Sequence, residues 1–364
     1  MCGKSGTIAN IPTMPSDFRT SGPLNDFRTP ERYSRQSRFA PIGAAGQARL
    51  GAAQVLVLGV GALGSVMAEQ LCRAGVGRLR LVDRDFVEPS NLQRQSLYTQ
   101  ADAAQSLPKV VAAAAHLREI NSDVVVEALI ADVTARNIRD LVTCCDVVVD
   151  GADNFSVRHL LNEACCVAKV PWVYAACVGA YAVSVPIIPG STPCLRCLQD
   201  ELPTVGDGPT CDSVGIIAPA VHLAAAWAVA EAIKLLVGDQ AAVRRELWAS
   251  DLWKGTFQRL NLSSARDPQC LACGIAATYP ALSAPVEVGT VLCGRDAVQM
   301  SGGRAVDLER FAITLGSALT LRNDYLVRWR DAGLIGTCFR DGRILVQGTG
   351  DSVRARGFID RWLG

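Results

Sequence analysis

The sequence predicts a doubly wound α/β fold with a mostly parallel sheet, an antiparallel extension and a small C-terminal α+β module. An apolar run from Val55 to Leu58 ends in a G-x-G-x-x-G turn, and a second apolar strand closes on Asp83. A strand, a glycine turn, an Ala-rich helix and a second strand make a βαβ unit that holds a nucleotide. Strands then alternate with helices as far as residue 176.

This alternation is typical of a mostly parallel, Rossmann-like sheet with helices on both faces. We predict strands at residues 54–58, 78–83, 123–129, 147–150 and 172–176. We predict helices at residues 62–74, 107–120, 137–141 and 156–168. Ligands of such sheets bind beyond the carboxyl ends of the strands, which is where Asp83, Asp85, Asp150 and Asp153 fall.

Each glycine of the turn has its own physical role. Gly59 permits the tight connection from strand to helix, Gly61 lets backbone N–H groups approach a phosphate, and Gly64 lets the helix lie close to the sheet. Ala62 is compatible with the first turn of that helix. The turn alone indicates a nucleotide, and ATP, nicotinamide and flavin cofactors fit it equally well.

After Cys177 the pattern changes to antiparallel strands, predicted at residues 182–188 and 246–261, around an apolar helix at 216–236. The apolar run in this helix contains Pro219 and His222 and falls short of the ~20 residues of a membrane span. We therefore predict a buried or subunit-facing helix and no membrane association.

The two ends of the chain differ in composition from the middle. The first 30 residues are rich in Ser, Thr, Pro and Gly without an apolar signal segment, which indicates a mobile tail at 1–30. A break at residues 280–285 separates a domain at 31–279 from a C-terminal α+β module at 286–364. In the module we predict a helix from Leu308 to Leu319, strands at 325–329, 334–339 and 343–347, an Asp341-Gly342 hairpin turn and a closing helix at 352–363.

The net charge of +1 gives no basic field for nucleic acid and no polybasic segment for a membrane surface. We expect a cytoplasmic protein. Disulfides do not persist in that reducing compartment, so the 14 cysteines point to metal binding, catalysis or plain burial.

Further polar residues follow the predicted strands. Arg94 lies in the run from Asn91 to Gln95, Lys109 opens the next helix, and Asp153 follows a third strand. A nicotinamide site has no use for these groups at one sheet edge. A triphosphate with Mg²⁺ does, because the attacked phosphate needs cations and the metal needs an anionic ligand. We therefore predict ATP and Mg²⁺ as cofactors.

With these motifs the chain resembles the HesA/MoeB/ThiF family, the bacterial relatives of ubiquitin-activating enzymes. The resemblance covers residues 31–279 and includes Arg32 to Gln36, Ser90 to Gln95, Asp153-Asn154 with Val157-Arg158, and two Cys-x-x-Cys pairs. It implies ATP-dependent adenylation of the C-terminal glycine of a ubiquitin-like sulfur carrier protein ending in Gly-Gly, with release of pyrophosphate. A C-terminal carboxylate has a pKa near ~3.5, so this reaction needs charge stabilisation and no general base.

The resemblance also implies a set of nucleotide-binding residues. The set comprises Gly59, Gly61, Ala62, Gly64, Asp83, Asp85, Asn91, Arg94, Gln95, Lys109, Asp153 and Asn154. Asp83 is expected at the ribose hydroxyls, with an N-cap as the alternative. Asn91, Arg94, Gln95 and Lys109 are expected at the phosphates, with solvated surface charge as the alternative for Arg94 and Lys109. Asp153 is expected to bind Mg²⁺.

Arg35 matches an arginine that, in this family, reaches into the site of the partner subunit. The resemblance therefore implies a homodimer in which Arg35, Arg94, Lys109 and Asp153 act together. The alternative for Arg35 is an exposed cation at a helix end.

Two cysteine knuckles, Cys194/Cys197 and Cys270/Cys273, predict a closed structural Cys₄ zinc site. The 72 residues between the knuckles exceed the spacing of a zinc ribbon, but the family resemblance implies this arrangement. The alternative is a pair of redox dithiols.

Cys211 lies in a predicted Gly- and Pro-bearing loop ahead of the apolar helix. The resemblance implies a nucleophile that forms a thioester or an acyl disulfide with the carrier, and a sulfurtransferase or cysteine desulfurase as a further partner. A bystander thiol is the alternative.

Three other functions stay open at this point. One is adenylation of a small molecule or a tRNA-borne carboxylate, although tRNA binding usually needs a basic face. The second is a dinucleotide-dependent oxidoreductase, which Arg94, Lys109 and Asp153 argue against. The third is a non-catalytic scaffold, against which the intact set of phosphate and metal residues argues.

Overall fold

The computed structural model of the protein describes residues 29–199, 211–284, 289–292, 296–300 and 304–363. The predicted tail at 1–30 lies almost entirely outside this part of the chain. Eight strands form the main sheet, in the order β3-β2-β1-β4-β5-β6-β7-β8. They are β1 (Gln54–Leu58), β2 (Arg78–Asp83), β3 (Val125–Ile130), β4 (Val147–Asp150), β5 (Trp172–Val178), β6 (Tyr181–Ile187), β7 (Glu246–Asp251) and β8 (Thr256–Asn261).

Strands β1 to β5 pair in parallel, whereas β5 to β8 pair antiparallel. The predicted mostly parallel sheet with an antiparallel extension is confirmed. The stretch predicted at 246–261 is a hairpin of two strands with a turn between Asp251 and Thr256. The order of strands reverses between β1 and β4, which is the position where doubly wound sheets bind ligands.

Eleven helices accompany the main sheet in the described part of the chain. They are α1 (Thr29–Arg32), α2 (Gly43–Ala52), α3 (Ala62–Ala74), α4 (Gln100–Ala104), α5 (Lys109–Ile120), α6 (Ile138–Val142), α7 (Phe155–Ala168), α8 (Leu195–Leu198), α9 (Cys211–Val214), α10 (Ala218–Leu236) and α11 (Pro280–Ser283). Helices α3, α5 and α10 share one apolar core with one face of the sheet, and α6, α7 and α11 share a second core with the other face.

Helix α10 is long and apolar enough to cross a membrane by length and composition, and just over half of its most apolar window is buried inside the protein. Its small side chains Ala224, Ala225 and Ala228 are fully buried in the core with α3. It therefore packs as a core helix of the sheet, in line with the predicted buried helix.

The C-terminal residues form a second sheet of six antiparallel strands, in the order β11-β12-β13-β14-β10-β9. Its strands are β9 (Gly289–Leu292), β10 (Ala297–Met300), β11 (Leu319–Arg322), β12 (Leu326–Asp331), β13 (Leu334–Phe339) and β14 (Ile344–Gln347), accompanied by α12 (Leu308–Leu315) and α13 (Ser352–Leu363). Trp329 packs edge-on against Phe311 of α12 and stacks on Phe358 of α13. Both helices thus cover one face of this sheet.

The prediction of a helix reaching Leu319 is wrong. Helix α12 ends at Leu315, because Gly316 takes a positive φ of 50°, and Leu319 begins β11. Leu319 follows Leu315 by four residues, and this spacing fits both one face of a helix and the two-residue alternation of a strand.

Candidate nucleotide site and four-cysteine centre

The carboxyl ends of the parallel strands, residues 59–64, 83–95 and 150–154, form one edge, called the carboxyl edge below. Gly59 has φ +80°, and a Cβ there would lie 2.6 Å from the carbonyl oxygen of Gly151. A Cβ on Gly64 would collide with the carbonyl oxygen of Gly59. A Cβ on Gly61 would meet only the side-chain amide of Gln95, at 3.9 Å. Packing therefore requires glycine at 59 and 64, and the space beside Gly61 fits an approaching phosphate.

Asp83 ends β2 and holds the glycine turn against that strand. Its Oδ2 accepts the N–H of Val60 at 2.7 Å, and its Oδ1 accepts the N–H of Asp85 at 2.8 Å. Burial raises the pKa of the Asp83 carboxyl, and the nearby Lys109 opposes that shift. Asp83 thus organises the loop, and each oxygen keeps a second lone pair for a ribose hydroxyl.

Lys109 begins α5 and is buried, so it is not a solvated surface charge. Its Nζ lies 3.2 Å from Oδ2 of Asp85, and its backbone N–H donates to the carbonyl of Asp85 at 2.9 Å. The neighbouring Arg84 forms an ion pair with Asp132 at 3.0 Å. Burial lowers the pKa of Arg84, but the charges of Asp85, Asp132 and Asp153 raise it overall. These residues form one charged network along the carboxyl edge.

The segment predicted to contact phosphates follows Asp85 as a tight turn. Oδ1 of Asn91 accepts the N–H of Glu88 at 3.1 Å, and Nη1 of the half-buried Arg94 donates to the Ser90 carbonyl at 2.8 Å. Gln95 is buried, and its Oε1 has no hydrogen-bond partner within the described residues. An unpaired buried oxygen costs about 1–3 kcal/mol, so a ligand that donates a hydrogen bond fits beside Gln95.

The turn after β4 presents Asp153 to solvent. Oδ1 of the fully buried Asp150 accepts the N–H of Ala152 at 2.9 Å. Asn154 is the N-cap of α7: its Oδ1 accepts the N–H of Val157 at 2.9 Å, while its Nδ2 donates to Asp153 at 3.0 Å. The turn therefore holds an exposed carboxylate in a fixed position, which suits a metal ligand.

Arg158 is a supporting residue that we did not assign to the site from sequence. It is buried, and its Nε donates to Oδ2 of Asp150 at 2.9 Å while its Nη2 donates to the Ala152 carbonyl at 2.8 Å. Burial raises the pKa of Asp150, and the charge of Arg158 opposes that rise. Its place after Val157 in the family motif was the available sequence signal. Arg158 stiffens the turn that carries Asp153.

Arg35 is exposed in the turn between α1 and α2. Its neighbours fix this turn on the C-terminal end of α3, where Gln36 donates to the Ala74 carbonyl at 2.8 Å and Tyr33 lies against Gly75. The glycine turn lies at the opposite end of this 13-residue helix, about 20 Å away at 1.5 Å per residue. That separation exceeds the length of an arginine side chain.

The two cysteine knuckles meet in space. The sulfurs of Cys194 and Cys270 are 3.6 Å apart, those of Cys197 and Cys273 are 3.4 Å apart, and all four lie within 4.8 Å of one another. A tetrahedral zinc with Zn–S bonds of about 2.3 Å places its sulfurs about 3.8 Å apart. One cluster of four sulfurs fits a structural zinc better than two separate redox dithiols.

Helix α7 links this cluster to the carboxyl edge. Oδ1 of Asn162 accepts the N–H of Leu195 at 2.9 Å, beside Cys194. The fully buried Glu163 accepts the N–H of Leu282 at 3.0 Å and pairs with Arg196 at 3.4 Å. The helix that begins next to Asp153 thus carries the supports of the four-cysteine cluster.

Cys211 begins the short helix α9, where the sequence predicted a loop; its side chain and residues 200–210 lie outside the described part of the chain. The Gly215 carbonyl after α9 accepts the N–H of Gly179 at 2.8 Å, which ties this helix to the end of β5. In the C-terminal module, burial raises the pKa of Cys338 to about 12, which disfavours a reactive thiolate.

These features define a nucleotide-binding α/β protein: a glycine turn at the switch point, a buried lysine–aspartate pair and an exposed turn carboxylate. The protein also carries a cluster of four cysteines that could hold a metal ion. The family model described as "ThiF family" matches residues 33–272. The chain belongs to the ThiF family, which confirms the resemblance seen in the sequence.

Two relatives illustrate the match. The chain is 44% identical to the sulfur carrier protein ThiS adenylyltransferase of Bacillus subtilis (strain 168) over 338 residues, which cover 92% of this chain and 99% of that protein. It is 36% identical to the SAMP-activating enzyme E1 of Haloferax volcanii over 67% of this chain and 88% of that protein. The first match necessarily includes most of the C-terminal module.

Among solved structures, the chain is similar to E. coli MccB with ATP. The TM-score is 0.57 at 25% identity, over 67% of this chain and 74% of the other.

Proposed function

We propose that this protein adenylates the C-terminal glycine of a ubiquitin-like sulfur carrier protein with ATP and releases pyrophosphate. Adenylyltransferase is the activity named for the relative that it matches over nearly that relative's whole length. The observation that carries the proposal is the meeting, at one sheet edge, of an open glycine turn, buried Lys109, half-buried Arg94 and exposed Asp153.

The residues present fit the needs of this reaction. The carrier carboxylate is already an anion at neutral pH, so attack on the α-phosphate requires no base. Arg94 and Lys109 supply positive charge for the phosphate oxygens, and Asp153 would hold Mg²⁺. The metal would neutralise charge that develops on the transferred phosphate and the departing pyrophosphate.

The four-cysteine cluster would hold Zn²⁺ as a structural ion. Its sulfurs leave no position for substrate, and zinc would fix the segment near residue 194 to the segment near residue 270. The distance between Arg35 and its own glycine turn supports a homodimer in which Arg35 completes the partner's site.

Sulfur transfer is the context that the relatives' names favour. We propose that the protein acts in the cytoplasm and serves thiamine, molybdenum-cofactor or a related synthesis. Cys211 would act after adenylation, with a sulfurtransferase or cysteine desulfurase as the sulfur source.

Pyrophosphate exchange into ATP tests the proposal. The purified protein is incubated with ATP, Mg²⁺, labelled pyrophosphate and a panel of carriers that end in Gly-Gly. We expect exchange that depends on one carrier and that disappears when its last glycine is deleted. NADH turnover without any carrier-dependent exchange would refute adenylation in favour of an oxidoreductase.

A further inference from the structure

The C-terminal sheet packs one of its faces on the carboxyl edge. Phe86, which follows Asp85, lies in a small core with Leu326 and Phe339, and its ring centroid is 6.3 Å from that of Phe339. The guanidinium of Arg328 lies 4.9 Å from the centroid of the Phe86 ring. Strand alternation sends the helix-packing side chains to the opposite face. The module thus contacts the segment that carries the nucleotide residues.

Two buried polar side chains of the module reach the charged network itself. Nη1 of Arg343 donates to the backbone carbonyl of Arg84 at 2.9 Å, and its guanidinium lies 4.1 Å from the centroid of the Phe339 ring. Nε2 of Gln299 donates to Oδ2 of Asp132 at 2.7 Å. Both side chains are about 96% buried, with only 4% of each residue exposed.

Gln299 contacts the carboxylate that lies nearest to Arg84. Gln299 holds Oδ2 of Asp132, and the other oxygen of that carboxylate accepts Nη1 of Arg84 at 3.0 Å. Arg84 also lies 4.0 Å from Asp85, whose other oxygen pairs with Lys109 at 3.2 Å. If Asp132 turned away, Arg84 would move to Asp85 and compete with Lys109, because a guanidinium binds a carboxylate in two-pronged fashion.

We propose that Gln299 and Arg343 are positioning residues of the nucleotide site, which hold Arg84 on Asp132 so that Asp85 keeps its ion pair with Lys109. This inference rests on the proposed function and gives the C-terminal module a role in it. The affected quantity is ATP binding. In a variant without these contacts, bound ATP would return Lys109 to its wild-type position. The free energy of that movement would weaken ATP binding and leave the rate at saturating ATP unchanged.

The test compares Gln299→Met and Arg343→Met with Arg361→Met in the full chain. Arg361 is a matched control, since its 2.8 Å ion pair with Asp331 lies entirely within the module. Isothermal titration calorimetry with ATP and Mg²⁺ in the absence of carrier measures ATP binding alone. We expect an ATP dissociation constant at least tenfold higher in the first two variants and unchanged in the control.

In pyrophosphate exchange, the same two variants should show a raised KM for ATP, with kcat and the KM for carrier within about twofold of wild type. Asp132→Asn alters the contact between Gln299 and Asp132 from the side of the main domain, and it should weaken ATP binding to a similar extent. The double variant that combines Asp132→Asn with Gln299→Met should bind ATP no more weakly than either single variant, because both substitutions affect one interaction.

An unchanged ATP dissociation constant in folded Gln299→Met, or additive effects of the two changes, would overturn the positioning role. Wild-type protein that binds ATP but shows no carrier-dependent exchange would instead refute the proposed function, and the binding comparison would still be readable. Thermal melting of each variant identifies those that fail to fold, and Asp132→Asn then provides the test with an unaltered module.

Discussion

Arg35→Ala and Asp153→Asn should each abolish adenylation, and mixing the two inactive proteins should restore part of it. Both side chains are exposed, so neither change removes a core contact. Arg35 lies at the C-terminal end of α3 and the glycine turn at its N-terminal end, about 20 Å apart for 13 residues. An arginine of the same chain cannot span that length, whereas an arginine from a two-fold-related partner is free of this constraint.

The expected recovery follows from counting sites. Random exchange of equal amounts of the two variants gives mixed dimers as about half of all dimers. Each mixed dimer has one site whose Asp153 and donated Arg35 are both wild type. About one quarter of wild-type activity should therefore return, and it should fall toward zero as either variant is mixed in excess.

Subunits are exchanged by brief incubation in mild denaturant, and pyrophosphate exchange is then measured as a function of mixing ratio. Each variant put through the same treatment alone should stay inactive. Arg38→Ala, which changes an exposed cation in the same turn, should keep wild-type activity without mixing. Absence of recovery at every ratio, in samples shown to contain mixed dimers, would refute an arginine that acts across the dimer.

Three further outcomes are expected. Metal analysis should find about one zinc per chain, lost in Cys270→Ser together with thermal stability, because the binding energy of a structural zinc is folding energy; fully folded metal-free protein would contradict this. Cys211→Ser should keep pyrophosphate exchange and lose only the sulfur transfer that follows adenylation. Loss of exchange in the folded variant would contradict this separation of the two steps. Arg158→Met should cost about 3–5 kcal/mol in urea unfolding near pH 7, because it leaves the Asp150 carboxylate buried and unpaired. Burial raises the pKa of Asp150 in the folded state, so this loss should shrink as the pH falls towards the usual aspartate range.

Local patterns were sufficient to predict the five parallel strands of the main sheet. The predicted bounds of β1, β2, β4 and α3 match those observed, because each has a short apolar run or a 3.6-residue period bounded by glycine or an acid. The error at Leu319 arose where helical and strand spacing coincide, and only the positive φ of Gly316 separates them.

The sequence by itself determined which residue types the chemistry requires: the glycine turn, the acids at strand ends and the two cysteine knuckles are all readable from spacing. The tertiary structure alone decided which of them meet. The four sulfurs converge although 72 residues separate the knuckles, and Lys109 is buried against Asp85. The contact of Gln299 with Asp132 joins residues 167 positions apart. Such pairings depend on how loops and helices pack on the main sheet and, for Gln299 and Asp132, on how the two sheets pack. No periodicity along the chain encodes these distances between side chains.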